Sequence, residues 1–445
     1  MEKAGKPAVG IVAAGFEGAA KATAKAFGLP EFRHARVGRV LTGLPPEEIE
    51  REVAEALDQL VAGLVDTGDA AADAAARALE PTDVLKFEGS DAWTAAERMN
   101  EVFLQSDWGD GFPLIPPTPE KVRRMLAGTT RPAHDVVTIM APGSGIATVE
   151  KIAINAVLAG CEPVHLPILI AICEAYTGMG ERVRAMAMST SAHAPLLLVN
   201  GPIVKELGIN SGQCALGPGK QSRHNIVLGR ALRLMMINLG NCRPGQMDMD
   251  TIGSARKFGM LVGEAEDQSP WDAFHVEHGF DKGANTVTIF GTRTEIDVND
   301  LDNWTPEGVL NSFSFYGAIP GGEYLAKIHN GETSDYIHLL VMCPEHAQLL
   351  GQAGWSKKAV RDYVYQHCRI SARRLMNKCR NTPDIVRTEW RWLLELSERE
   401  REQVIMPCME KADDIKIVVV GGPAGKNMIY HTITKPSTVE IRDRA

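Results

Sequence analysis

The chain of 445 residues is short of several things. None of its eight cysteines, at 161, 173, 214, 242, 343, 368, 379 and 408, belongs to a Cys-x-x-Cys pair. Structural zinc sites draw their ligands from such close pairs, so none is expected here. With no secretion signal, the cysteines read as free thiols rather than a disulfide framework. No lysine- or arginine-rich run stands against the net charge of −9. Neutralising phosphates takes a basic face, so nucleic acid is not an expected partner. The longest apolar runs, such as residues 166–173, fall far below the ~20 residues a membrane helix needs. The opening Met1-Glu2-Lys3-Ala4-Gly5-Lys6-Pro7 has no apolar signal core. A cytoplasmic protein with no membrane partner is the expectation. Repeats and low-complexity tracts are missing as well.

What remains is ordinary globular material, 44% hydrophobic and 23% charged. The length predicts two or three domains. Apolar strand-like runs alternate with helical stretches, so the predicted fold class is α/β. Residues 1–90 read as a small, incomplete N-terminal α/β layer. A strand at 8–13, an alanine-rich helix at 16–27 stopped by Gly28-Leu29-Pro30, a strand at 33–37, a long helix from Pro45 to Val65, an alanine-rich stretch at 70–79 and a strand at 83–87 make it up. Such a layer is too thin to bury a core alone. Residues 91–445 read as a larger mixed α/β domain. It begins with a helix at 91–105, a Gly/Pro loop at 106–119 and a helix to 126. Strands follow at 136–140, 196–199, 286–290, 336–342 and 415–420. Helices are expected at 148–159, 167–176, 225–239, 345–352, 356–368, 370–379 and 384–396.

Residues 142–280 hold the candidate chemistry. First, a glycine-rich turn leads into a helix that Thr148 can cap. The helix is apolar almost all round yet carries Glu150, Lys151 and Asn155. A buried lysine shifts its pKa toward the range of a general base; the plainer alternative is a Glu–Lys pair facing solvent. Second, Cys161 follows that helix, either as a reactive thiol or as a small core residue. Third, the strand ending at Val199 runs into Asn200-Gly201-Pro202, followed by residues 210–223 with Asn210, Cys214, Gly217, Gly219, Lys220 and Arg223. Ligands of α/β sheets gather at carboxyl ends of strands. The start of the next helix, with Arg223 and Arg230 on one face, predicts a carboxylate or phosphate site, against a solvated helix start as the alternative. The glycine spacing fits neither a Walker A nor a dinucleotide fingerprint. Fourth, an irregular stretch carries Asn241, Asp248, Lys257, Glu264, Trp271, His275 and His278. The two histidines are candidates for acid–base or metal work, or are ordinary loop residues. Gly421-Gly422-Pro423-Ala424-Gly425, after the last strand, is a further turn that could touch a ligand.

Two segments resemble the UGSC family of (seleno)proteins, named for a selenocysteine- or cysteine-Gly-Ser-Cys motif. Gly5-Lys6-Pro7-Ala8-Val9-Gly10-Ile11-Val12 through Gly28-Leu29-Pro30 and on to Leu64 looks like the second half of the UGSC-type domain. Asp107-Trp108-Gly109-Asp110-Gly111, residues 147–157, Val199-Asn200-Gly201-Pro202, Gly217-Pro218-Gly219 and Gly229-Arg230-Ala231-Leu232-Arg233-Leu234 resemble the long domain fused to it in some members. The family's cysteine motif lies upstream of the Gly-x-Pro strand, and no Gly-Ser-Cys occurs in this chain. The resemblance therefore implies a long form without the motif-bearing half, and a small UGSC-motif subunit as partner.

Together these readings predict a catalytic subunit, in an oligomer, that acts on a small anionic substrate by thiol-dependent redox or carbon–heteroatom chemistry. Glu150 and Lys151 would be the acid–base pair, Asn155 and Asn200 orienting groups, Arg223 and the 217–219 turn an anion clamp. Asn210, Arg230 and His275 would contact substrate, and Cys161, Cys214 or a partner's cysteine would be the thiol. A self-sufficient lyase or hydrolase and a non-catalytic scaffold subunit stay open as alternatives. The sequence assigns no cofactor and leaves metal content open.

Overall fold

The computed structural model describes residues 8–26, 32–41, 44–65, 84–300, 303–318, 336–376 and 388–445. The fold is α/β, with mixed sheets. Near the N-terminus, β1 (Gly10–Ala13) and β2 (His34–Val37) pair in parallel. The predicted long helix is two helices, Pro46–Glu55 and Leu57–Val65, that break at Ala56. The core of this unit is small, with Ala35, Val37 and Ala56 buried. Residues 84–88 form no strand. The predicted helix stop at 28–30 and the stretch at 70–79 fall outside the described residues, as does Cys379.

The larger part opens with the Ala92–Gln105 and Pro119–Leu126 helices, capped by Asp91 and Thr118. A two-stranded antiparallel sheet follows, β3 (Val136–Met140) with β4 (Gly145–Thr148). The glycine-rich turn of the sequence reading is thus partly strand. Gly145 is required there, because a Cβ would lie 2.0 Å from the Leu239 carbonyl oxygen.

The principal sheet contains β5 (Ala194–Asn200), β6 (Met260–Gly263), β7 (Thr286–Asn299) and β8 (His338–Met342). A separate short hairpin pairs β9 (Arg369–Ser371) with β10 (Ile405–Pro407). Then come β11 (Ile415–Val419), β12 (Lys426–Thr432) and β13 (Ser437–Glu440). The order is β11-β8-β12-β7-β5-β6, with β13 beside the first part of β7. β5 and β6 are parallel, as are β8 and β11; the other neighbours are antiparallel.

The sequence shows no repeat, yet the sheet repeats its connectivity. β5 passes through helices to its parallel neighbour β6, and β7 then returns antiparallel on the other flank of β5. β8, β11 and β12 do the same. Equivalent main-chain bonds follow each parallel pair: Glu264 N–H donates to Val199 O at 3.0 Å, and Val420 N–H to Met342 O at 2.9 Å.

The two edge strands meet. Ala265 N–H, just past β6, donates to Val419 O of β11 at 2.8 Å. Strand alternation then sorts the side chains. Leu196, Leu198, Met260, Val262, Phe290, Leu339, Val418 and Tyr430 pack in one cluster drawn from all six strands, which is the inside of the closed sheet. Their sequence neighbours face outward into two other cores. Leu197, Val199 and Leu261 meet the helices at 149–159, 166–178 and 223–238. Leu340, Met342, Ile417 and Ile429 meet those at 306–317 and 357–367. Both faces of β5 are covered, and all seven of its residues are buried. Among the described residues no helix is long and apolar enough to cross a membrane.

Phe290 is fully buried inside the closed sheet. Phe290→Ala is expected to lower unfolding free energy by about 3–5 kcal/mol, read from urea denaturation.

Candidate functional site

β5 and β6 end side by side, with Val199 opposite Gly263. The next residues, Asn200 and Glu264, continue the inward-facing rows of Leu198 and Val262. Thr286, opposite Asn200 at the start of β7, shares their face. A polar cluster therefore closes one end of the apolar interior. Asn200 Nδ2 donates to Glu264 Oε2 at 2.6 Å and to Glu266 Oε1 at 3.0 Å. Phe274 N–H donates to Glu264 Oε2 at 2.8 Å, and Gly201 N–H to Glu266 Oε1 at 2.7 Å. Gly201 has φ +94°, and a Cβ there would lie 2.2 Å from Ala284 O. His275 Nδ1 lies 3.9 Å from Glu266 Oε1.

Asn200, Glu264, His275 and Thr286 are all at least 98% buried. Yet Asn200 Oδ1, Glu264 Oε1, both ring nitrogens of His275 and Thr286 Oγ1 have no hydrogen-bond partner among the described residues. Each such orphan costs about 1–3 kcal/mol. Natural cores keep few of them, and a group in one place marks a site that something else completes. Glu266 keeps a quarter of its side-chain surface exposed, so the cluster reaches solvent on that side. Burial raises the Glu264 carboxyl above its ordinary range; Lys357, the Phe274 N–H and the Asn200 amide oppose the shift. The arrangement can hold a proton on a carboxyl and exchange it with a group placed against Asn200 and His275.

Two residues singled out from sequence, Asn200 and His275, thus come together. Glu264 was noted only in passing, and Glu266 and Thr286 were missed. A signal existed: Met260-Leu261-Val262-Gly263 is a short apolar run, and Glu264 and Glu266 follow at its carboxyl end.

The other expectations meet different geometry. Glu150 and Lys151 are exposed, and Lys151 Nζ reaches only Ile146 O at 3.2 Å. They face solvent at the start of a helix that Thr148 does cap. Asn155 is buried but structural: it donates to Lys151 O and accepts from Asn238 Nδ2 at 2.8 Å, joining two helices. Cys161 bonds Val227 O at 3.4 Å, and burial, then Glu162, drives its thiol far above the ordinary value. That is opposite to a nucleophile's need. Cys214 is exposed, with φ +54°.

Asn210 ties its loop to the next helix, exchanging bonds with Asn225 and donating to Gln213 O and Ser222 Oγ. Gly217 and Gly219 hold positive φ in the turn before that helix, at +93° and +128°. Arg223 is exposed and lies 3.5 Å from Glu162. Arg230 grips Asp110 through two bonds of 2.7 and 2.9 Å, and Phe112 O and Pro113 O besides. The arginine expected to hold a substrate anion instead clamps the 106–119 loop to the helix. Lys257 is bound by Asp248 and Asp250. His278 stacks on Phe274 and bonds its carbonyl oxygen. The 421–425 turn is occupied from within, since Ala424 and Gly425 N–H both donate to Glu345 Oε2 at 3.0 Å. Among the described residues, no group of three or more His, Cys, Asp or Glu side chains is placed to hold a metal ion.

Fold and site together describe an α/β chain with a closed mixed sheet and a buried carboxyl–amide–imidazole cluster at its end. The UGSC family model matches residues 1–66, the N-terminal β1–β2 unit. No curated protein matches the chain.

Two outcomes follow from this geometry. Arg230→Met leaves the Asp110 carboxylate, with 1% of its side chain exposed, buried without its partner. It should cost about 3–5 kcal/mol in urea unfolding, and the Asp110→Leu/Arg230→Met double variant should lose less. The second concerns pH. The folded Glu264 holds its proton more tightly than the unfolded chain. The stability it contributes is complete below the ordinary value of 4.5 and is lost as pH rises through the folded value. Unfolding midpoints of Glu264→Gln should therefore gain on the wild type as pH is raised above 4.5.

Proposed function

We propose that the chain is the substrate-handling unit of an enzyme whose own contribution is acid–base chemistry at the β5–β6 end of the closed sheet. One observation carries the reading: four buried side chains gather where two parallel strands end, each with a polar atom that has no partner among the described residues. In this reading Glu264, neutral while the site is empty, gives up its proton as substrate binds and recovers it later. Asn200, fixed by two carboxylates, presents Oδ1 to orient the substrate. His275 is the second proton carrier. Positioned acid–base groups are worth about 10²–10⁴-fold in rate. A lyase or hydrolase without a thiol from the described part of this chain fits best. Of the described cysteines only Cys214 is exposed, and Cys161, Cys173, Cys242, Cys343 and Cys368 have thiols raised above the ordinary value.

A thiol step enters this proposal through a partner. Residues 1–66 match the UGSC family, and the unit they form has a small core. Leu57, Val61, Leu64 and Val65 lie exposed along one stripe of the Leu57–Val65 helix. A small polypeptide bearing the cysteine motif would complete the UGSC-type half and cover that stripe.

Incubation with a clarified metabolite extract, followed by mass spectrometry, tests the acid–base reading. The wild type should deplete a small molecule that Glu264→Gln depletes at least a hundredfold more slowly, with both proteins folded. Equal depletion by the two would overturn it. Prior treatment with iodoacetamide should leave the wild-type rate intact if no thiol of this chain takes part. Co-expression with a motif-bearing polypeptide should give a co-purifying complex; a fully active homo-oligomer would refute the partner.

A further inference from the structure

The hydrogen-bonding inventory of the β5–β6 cluster narrows what it can hold. Its amide donors are occupied internally. The Asn200 amide hydrogens go to Glu264 and Glu266, and the Gly201 and Phe274 N–H groups go to the same two carboxyls. The atoms left over are chiefly acceptors: Asn200 Oδ1, Glu264 Oε1 when ionised, and whichever His275 nitrogen lacks the hydrogen. Thr286 Oγ1 can act either way. The cation that most affects Glu264 is Lys357, but its Nζ is held by Glu277 Oε2 and Asp272 O, both at 2.7 Å. An anion placed here would meet two carboxyls, with one His275 N–H and the Thr286 hydroxyl as its free donors. A group with several N–H donors and a positive charge meets Asn200 Oδ1, the Glu264 carboxyl and the acceptor nitrogen of His275.

We infer that the group bound against Asn200 and Glu264 is a primary ammonium, so that the substrate is a small molecule carrying an amine. The inference rests on the reading of this cluster as a substrate site. An ammonium has three donors, matching Asn200 Oδ1, Glu264 Oε1 and either Thr286 Oγ1 or His275. Burying it is favourable only against a carboxylate, so binding expels the proton that burial keeps on Glu264. Affinity for the amine then falls as pH is lowered through the Glu264 titration, and binding releases a proton.

Titration calorimetry with propylammonium chloride tests this, with sodium propionate and tetramethylammonium chloride as controls. A ligand this small calls for concentrations up to about 50 mM. Propylammonium should bind, with a heat that changes with the ionisation enthalpy of the buffer. Propionate, an anion, and tetramethylammonium, a cation with no N–H, should not. Glu264→Gln should weaken propylammonium at least tenfold and abolish the buffer dependence. Glu266→Gln, at the more exposed carboxylate, should weaken it without removing that dependence, which keeps the test decisive if Glu264→Gln fails to fold. Absence of propylammonium binding, or binding of propionate in its place, overturns the inference. If depletion of a metabolite still requires Glu264 in that event, the acid–base reading survives and only the amine is wrong.

Discussion

The closed sheet depends on the place where its two edge strands meet. The bond from Ala265 N–H to Val419 O joins the carboxyl ends of both parallel pairs. Without that meeting the inward-facing side chains of six strands, Phe290 and Tyr430 among them, would have no common interior. The same closure makes the polar cluster. Asn200, Glu264 and Thr286 are simply the next inward positions beyond the apolar rows, where chain direction and pleat leave them no other place. Their burial is a consequence of register, and the raised Glu264 carboxyl is a consequence of their burial.

Such a site opposes the fold that carries it. Orphaned acceptors and a desolvated carboxyl weaken the native state, whereas the apolar layers on either side strengthen it. The surrounding loops are tied down by polar contacts. The amide of Asn225 reaches the carbonyls of Asn210, Ala215 and Leu261, fastening the loop after β5 to the strand that leads into Glu264. Arg230 and Asp110 lock the 106–119 loop onto the same helix.

Local features were legible in the sequence where one residue type has one strong local role. Thr148 caps its helix, and the apolar run ending at Val199 followed by Asn200-Gly201 marked a strand end beside which polar side chains gather. What failed was direction and partnership. Lys151 sits on an otherwise apolar helix, but the narrow polar edge of that helix is its solvent edge. Arg230 lies on the same helix face as Arg223, as spacing requires. Its partner Asp110 is 120 residues away, and no local pattern announces that. β6 is only four residues long, and β12 has polar pairs on either side of a short Met428-Ile429-Tyr430 block, so its neighbours rather than its composition bury it. The repeated connectivity of the two strand triplets leaves no trace in residue identity: Asn200 and Cys343 occupy equivalent positions and share no chemistry.

The order in which the strands occur along the chain has its own consequence. β12 lies in the middle of the sheet, between β7 and β8, but it leaves the ribosome after both of them. Until residues 426–432 are made, the far half of the fourteen-residue β7 waits with an unpaired edge, as does β8. Open edges of this kind recruit strands from other molecules. A chain that stops short of β12 therefore carries two sticky flanks that the finished sheet conceals, sealed by a strand made after both of its neighbours.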